Sequence, residues 1–401
     1  MQLSEAKQNS LQCWDGLRAL LSAVKFPIRD SVVMLVLIEQ FEASLAEKTA
    51  FAMALQAGFL ISIPLVHYTR KFSLPLGGTI AGAHLLAAFF LLAASFSTGA
   101  LGFIVFVCLA QNAVYAVQPL QTQVYAGYSS GYRGRRFSTS FILESLGSVG
   151  FALGAKFLLQ GELTAFRLVL TFFAIAQLGA AYAASKYPHE KLKPNADSLK
   201  PFAAFSLLKT DKLFAYVLTA WFILGVANLW IAPYRANFLA EKQFGYAYKP
   251  ATVVLLLSII PEIVRLLAAP FLGKVFDQVN FIKLRIFLNC LFCVYYALFF
   301  FGDSFITHLI SMILSGVAIS GGQIAWNLWV TKMAPSDKIS EYMGVHATLT
   351  GIRMVLAPLL GLYAMEKFGP QFCATVSIAL IVLSILMLLP IVKFGQRRFG
   401  E

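Results

Sequence analysis

Six charged side chains interrupt long apolar runs of this chain and are the first candidates for chemistry. They are Glu39, Glu42, Glu144, Glu262, Arg265 and Arg353. A charge at the centre of a bilayer costs about 2.5–3.5 kcal/mol on insertion scales, so such residues usually face a bundle interior and serve a solute or an ion. A desolvated carboxyl group without a partner favours its protonated form near neutral pH. These side chains are therefore candidates for binding a solute or a proton.

Spacing suggests different roles for these residues. Glu39 and Glu42 are three positions apart and would share one helical face, although Glu42 could instead be solvated at the outer interface. Glu262 and Arg265 have the same spacing and could either neutralise each other or bind the substrate directly. Arg353 is a further possible partner of Glu262.

The balance of charge favours proton transfer. Four carboxylates against two arginines leave two acids in excess. We therefore expect proton coupling through Glu39 or Glu144, with a proton gradient as the driving force and no cofactor. The chain has no Gly-x-x-x-x-Gly-Lys-Ser/Thr loop for a nucleotide, and its histidines lack metal-ligand spacing. We expect neither an enzyme nor a metal site.

Composition indicates that most of the surface meets lipid. The 401 residues are 59% hydrophobic and only 13% charged, whereas soluble domains average about 25% charged residues. The net charge of +13 is spread between apolar runs and forms no single basic face, so nucleic acid is not expected as a partner.

Apolar runs of about twenty residues predict membrane-spanning helices. They give an all-α membrane protein with twelve spans, near 28–46, 49–68, 74–96, 101–123, 138–159, 163–185, 213–235, 250–272, 283–302, 304–329, 342–365 and 370–393. The predicted organisation is an N-terminal amphipathic segment (1–27), a six-helix bundle (28–185), a cytoplasmic linker (186–212), a second bundle (213–393) and a tail (394–401). Residues 11–26 would lie along the membrane surface or in solvent.

The distribution of Lys and Arg predicts the orientation. With a cytoplasmic N-terminus, 23 of these residues fall on the cytoplasmic side, 7 on the outer side and two within spans. Since short cytoplasmic loops carry the excess of basic residues, both termini should be cytoplasmic.

Two short motifs lie between apolar runs. Gly273-x-x-x-Asp277, followed by Lys283 and Arg285, would form a charged hinge between the second and third spans of the second half. The Arg133-Gly134-Arg135 element opens the fifth span. Both resemble cytoplasmic motifs of the major facilitator superfamily of transporters. The first half lacks the Gly and the Asp near His67–Lys71, so the resemblance is not symmetric.

The resemblance implies two pseudo-symmetric six-helix bundles working by alternating access, with these two motifs as a cytoplasmic gate. In that superfamily, spans one, four, seven and ten line a central cavity. The polar and aromatic residues on the last three of these spans that we expect to line it are Gln111, Asn112, Asn228, Trp230, Gln323, Trp326 and Asn327. Their mixture suits an amphipathic ligand.

The expected function is secondary active transport of a small amphipathic organic solute, neutral or cationic, by proton-coupled antiport. Alternatives are proton symport of a sugar or amino acid, transport of a lipid or lysolipid, and a non-transporting sensor. We expect a monomer in the lipid bilayer of a bacterial inner membrane.

Overall fold

A computed structural model describes residues 3–159, 165–192, 200–240, 246 and 248–393. The regular structure in this part of the chain is helical, and the predicted all-α fold is confirmed. The one β-type pairing among these residues is an isolated bridge between Pro75 and Lys191.

Backbone contacts divide the chain into two compact units. Unit 1 comprises Met1–Ser129, Thr139–Phe205 and Pro335–Gly351, and unit 2 comprises Ser130–Ser138, Ser206–Ala334 and Ile352–Glu401. The helix that begins at Arg133 thus starts with residues of unit 2, and the helix that begins at Ile339 starts with residues of unit 1. The predicted limits of the domains remain predictions.

The helices of the first half precede the linker. They are α1 (Glu5–Ser22), α2 (Lys25–Pro27), α3 (Val33–Glu39), α4 (Leu45–Ala54), α5 (Ser62–Lys71), α6 (Leu76–Ser95), α7 (Ala100–Ala116), α8 (Gln118–Tyr125), α9 (Arg133–Leu159) and α10 (Phe166–Ser185). A π-helical segment, Ile28–Val32, joins α2 to α3, and a 3-10 segment, Ala57–Ile61, precedes α5.

The second half follows the same plan. Its helices are α11 (Leu207–Thr210), α12 (Lys212–Ile231), α13 (Arg235–Ala240), α14 (Pro250–Val254), α15 (Ile260–Gln278), α16 (Phe281–Phe301), α17 (Phe305–Leu328), α18 (Ile339–Phe368) and α19 (Pro370–Leu388). A π-helical segment, Leu255–Ile259, joins α14 to α15, and Trp329–Lys332 extends α17 as a 3-10 turn.

Ten helices among the described residues are long and apolar enough to cross a membrane, and a pair bent by 41°, Ala46–Ala54 with Ala57–Lys71, would make an eleventh. The predicted span near 28–46 is not among them, because α3 has 7 residues and follows a π-helical segment. An apolar helix satisfies its own backbone groups, which is why these runs fold as helices in lipid.

Polar caps fix where several helices begin. Ser44 and Glu47 form a capping box at the start of α4, and Ser304 and Thr307 form one at the start of α17. Asp211 accepts a hydrogen bond from Phe214 N at 3.0 Å before α12. Such side chains satisfy the first N–H groups, which have no partner within the helix.

Each unit has its own apolar core. In unit 1, α6 packs against α7 and α10, and in unit 2, α16 packs against α17 and α19. Phe103 and Phe173 are fully buried in the first core, and Phe299 and Met312 in the second.

The placement of α1 corrects the prediction of a surface helix over 11–26. α1 packs against α10, and Asp15 is only 1% exposed. Gly179 of α10 allows the approach, because a Cβ there would lie 2.8 Å from Leu21 Cδ1. In the sequence, the polar residues of this segment look like the solvated face of a surface helix. In the structure, they lie inside unit 1 and bind one another.

Candidate functional site

A buried cluster of charge and phenol surrounds α1 in unit 1. Arg18 Nε donates to Asp15 Oδ1 at 3.0 Å and to Tyr187 Oη at 2.7 Å. Tyr187 Oη donates to Asp15 Oδ1 at 2.6 Å, and Arg18 Nη2 lies 3.2 Å from Tyr125 Oη. Burial raises the pKa of Tyr187 well above its ordinary value, so the phenol remains a donor. Sequence reasoning missed this cluster, although the i,i+3 spacing of Asp15 and Arg18 signals a pair.

A second ion pair in unit 1 joins α2 to α9. Lys25 Nζ lies 2.5 Å from Glu144 Oε1, and the two side chains are 15% and 16% exposed. Glu144 therefore has a cationic partner that the count of charges in the sequence left out. The predicted excess of two acids is wrong, because Lys25 also belongs to the interior.

Two adjacent amides on α7 support the interrupted helices of unit 1. Asn112 Oδ1 accepts from Gly58 N at 2.7 Å, and its Nδ2 donates to Ala54 O at 3.0 Å. Gln111 Nε2 donates to Lys25 O at 2.8 Å. The structure thus places both predicted cavity residues against backbone at helix breaks, where unpaired polar groups would be costly in lipid.

The start of α18 is held in unit 1 by polar side chains. Ser340 N donates to Gln123 Oε1 at 2.9 Å, and Gln123 Nε2 donates to Ser336 O at 2.8 Å. Arg70 Nε lies 3.2 Å from Glu341 Oε1. The first half lacks the aspartate of the Gly-x-x-x-Asp motif. A neutral amide, Gln123, and the Arg70–Glu341 ion pair hold the start of α18 instead.

In unit 2, Asp277 caps the start of α9. Its Oδ1 accepts from Gly134 N at 2.5 Å and its Oδ2 from Arg135 N at 3.1 Å. A carboxylate at a helix N-terminus satisfies free N–H groups and complements the helix dipole. The two sequence motifs are thus brought together, and Arg133 Nη1 also donates to Thr331 O at 3.3 Å.

The expected charged hinge is not a loop. Gly273 and Asp277 lie in the last turns of α15, which ends at Gln278. A Cβ at Gly273 would lie 2.7 Å from Gly134 O, so both glycines serve one close helix contact. Lys283 is exposed on α16, whereas Arg285 is buried at 3% exposure. Arg285 is therefore not a solvated residue of the expected hinge.

Arg285 and Arg353 both contact Trp221 of α12. The Arg285 guanidinium lies 4.5 Å from the centroid of the indole ring. Arg353 Nη1 donates to Trp221 O at 2.8 Å. Gly225 makes room for Arg353, because a Cβ there would lie 2.2 Å from its Cζ.

The other predicted site residues are found at several different places. Arg265 and Glu262 form an ion pair on α15, as their spacing indicates. Glu42 lies exposed in the loop after α3. The side chain of Glu39 lies outside the described part of the structure. Asn228 Oδ1 accepts from Tyr296 Oη at 3.0 Å.

The candidates on α17 differ in exposure. Asn327 is buried, Gln323 is exposed and Trp326 is half-buried. Asn327 Nδ2 donates to Gln323 O at 2.8 Å, a contact within the helix. A role for these three side chains in solute binding stays a prediction.

Trp230 supports helix packing in unit 2. Its Nε1 donates to Ser377 Oγ at 2.7 Å, and Ser377 Oγ donates to Ala227 O at 3.0 Å. We expect Trp230→Phe to lower the free energy of unfolding by about 1 kcal/mol, the usual net value of one hydrogen bond. Denaturant titration of the purified protein measures this loss. Transport should be unchanged, and a variant with native stability but impaired transport would contradict this structural role.

Comparisons with known proteins agree with this architecture. Solved structures similar to the chain include the human organic anion transporter MFSD10 (TM-score 0.77, 14% identity, covering 96% of this chain and 100% of that one). The proton:xylose symporter XylE matches at TM-score 0.73 and 13% identity, covering 97% of each chain. A bacterial homologue of the iron transporter ferroportin matches at TM-score 0.73 and 13% identity, covering 95% of this chain and 98% of that one.

No curated protein matches the chain in sequence. The family model of the major facilitator superfamily matches residues 31–358 and 242–400. The matched residues cover most of the chain, and the fold agrees with the motifs at Gly134 and Asp277. The protein is a multi-pass membrane transporter of the secondary kind, and the chain belongs to the major facilitator superfamily.

Proposed function

We propose that this chain moves a small amphipathic organic solute by alternating access, and that Glu144 couples the movement to protons. The coupling proposal rests on the ion pair between Glu144 and Lys25 inside unit 1, which replaces the unpaired carboxyl group expected from the sequence: a proton would take the place of Lys25 as the partner of Glu144. Family membership supports the transport of a solute. The similar structures are described as transporters of different solutes, so they favour no one substrate.

The Glu144–Lys25 pair could switch between two arrangements, one with the ion pair formed and one with it open. A partly buried pair is stable while both groups are charged, and removing one charge leaves the other desolvated without compensation. Protonation of Glu144 would release Lys25 and change the contacts between α2 and α9. A ligand or proton that favours one of two arrangements shifts the equilibrium between them.

Two of the other candidate carboxylates are less suited to this role. Glu262 has Arg265 as an immediate neighbour on the same helix, and Glu42 is exposed in a loop. Glu144 instead pairs with a residue 119 positions away. Its protonation therefore changes a contact between two separate helices.

The test uses the full chain in proteoliposomes loaded with a pH-sensitive dye. A panel of carboxylates, sugars, nucleosides and amines is added, and the internal pH is recorded. We expect at least one solute to move protons, and the sign of the pH change distinguishes antiport from symport. Glu144→Gln should abolish the solute-driven pH change but retain exchange of labelled solute.

Two variants control this experiment. Glu144→Asp keeps the carboxylate and should retain coupling, and Glu42→Gln changes an exposed acid and should have no effect. Undiminished proton movement in Glu144→Gln would show that another group carries the proton. A wild-type protein that moves none of the solutes would contradict the transport proposal.

The structure weakens the alternative of lipid transport. A surface helix over 11–26 would have been relevant to lipid transport, and α1 instead packs one face, with Asp15 and Arg18, into unit 1. Symport of a polar metabolite remains an outcome of the test. We also propose a monomer in a bacterial inner membrane. The distribution of basic residues supports the further proposal that both termini are in the cytoplasm.

A further inference from the structure

Two positive charges meet at one tryptophan in the interior of unit 2. Arg285 lies over the Trp221 ring and Arg353 donates to the Trp221 carbonyl oxygen. Arg285 is 3% exposed and Arg353 is 7% exposed. Like charges repel at short range in an apolar medium, so the partners of Arg285 are of particular interest.

The protein supplies Arg285 with little compensation. Its Nε donates to Asn289 Oδ1 at 2.8 Å, and the Trp221 ring provides a cation–π contact. Among the described residues, no carboxylate lies within 4.0 Å of the Arg285 guanidinium. Its Nη1 and Nη2 have no hydrogen bond to these residues. Buried cations are normally paired, because an amide and an aromatic face compensate only part of the lost hydration.

The surrounding residues hold the two guanidiniums and leave space beside one of them. Asn289 is itself fixed by Ser384, whose Oγ lies 3.3 Å from Asn289 Nδ2. A Cβ added at Gly322 would meet only Arg285 Nη1, at 3.9 Å, so α17 leaves open space there. A small group could therefore reach Nη1 of Arg285 from this side.

We propose that Arg285 and Arg353, positioned by Trp221, bind a carboxylate group of the transported solute. The proposal rests on the transport function proposed above and makes the solute an organic anion rather than a neutral or cationic compound. Guanidinium groups suit this role because their planar donors match a carboxylate with two parallel hydrogen bonds. A bound carboxylate would place a negative charge beside Arg285.

The first test is selectivity of the wild-type protein, which requires no variant to fold. Tryptophan emission of the purified chain is titrated with succinate, 2-oxoglutarate and benzoate, and with glucose and tetraethylammonium as neutral and cationic probes. We expect saturable changes with at least one carboxylate and none with the other two probes. Saturable binding confined to glucose or tetraethylammonium would overturn the proposal, as would no binding of any carboxylate.

The second test assigns the binding to the two arginines. Arg285→Gln and Arg353→Gln should each weaken carboxylate binding by about tenfold or more, the loss expected for a charge-assisted hydrogen bond. Arg285→Lys should retain part of the affinity. Arg235→Gln is the matched control, because Arg235 lies in the same unit but donates to Tyr295 Oη and Ala232 O. Folded Arg285→Gln with wild-type affinity contradicts the proposal.

The two proposals can fail independently. Proton-coupled transport of a sugar or an amine without carboxylate binding would remove the anion site and leave the transport function. Carboxylate binding without solute movement in proteoliposomes would retain the site and remove the transport function.

Discussion

Replacing Asn112 with leucine should lower the free energy of unfolding by about 2–6 kcal/mol. The amide currently pairs Gly58 N and Ala54 O, on either side of the break in the second span. Each buried backbone group left without a partner costs about 1–3 kcal/mol. Leucine is similar in volume, so the loss would come from these two groups rather than from a cavity.

The measurement is equilibrium unfolding of the reconstituted protein, followed by helix content. Gln323→Leu is the matched control, since Gln323 is an exposed amide on the apolar helix α17. We expect the control to differ from wild type by less than about 0.5 kcal/mol, as is usual for surface substitutions. Equal stability of the two variants would show that the broken helix does not depend on Asn112.

Replacing Gly134 with alanine should impair both stability and transport. An added Cβ would lie 2.4 Å from Gly273 O and 3.0 Å from Asp277 Oδ1. Relief of that overlap must move α9 away from α15 and lengthen the two hydrogen bonds to Asp277. Overpacking alone costs about 1–3 kcal/mol, and we expect a total loss of at least about 2 kcal/mol, since each hydrogen bond to a charged group adds about 1.5–3 kcal/mol.

Gly150→Ala provides the control for this prediction. Gly150 lies on the same helix, and a Cβ there meets nothing within 4 Å. Alanine is the better helix former by about 1 kcal/mol, so this variant should be at least as stable as wild type. Proteoliposome transport and thermal unfolding should then separate the two alanine variants, and similar behaviour of both would refute the close-contact argument.

The helical membrane architecture was predictable from the sequence because the apolar runs are long and recur along the chain. Apolar runs of sufficient length specify helices in lipid whatever their detailed packing. The pairing of Glu262 with Arg265 was also predictable, because both residues lie on one helix at a spacing that brings them together. The meeting of Gly134 and Asp277 was suggested only indirectly, by motifs that resemble those of a known family.

The sites that were missed depend on contacts between distant segments. Asn112 looks like a cavity residue in the sequence, because the break that it repairs lies on another helix. Lys25 was assigned to a surface segment, and its partner Glu144 is 119 positions away. Arg285 was grouped with Lys283 in a charged hinge, although Leu284 and Ile286 on either side of it are apolar. The helical periodicity of apolar residues over the start of α16 was the sequence signal that could have indicated a buried Arg285.

The adjacent amides of α7 have a mechanical consequence. Consecutive residues on an α-helix point about 100° apart, because a turn has 3.6 residues. Gln111 and Asn112 can therefore reach two interruptions at once, the one after Lys25 and the one between Ala54 and Gly58. Any rotation or sliding of α7 must pull on both, so the two interruptions cannot act as independent hinges and must flex in concert.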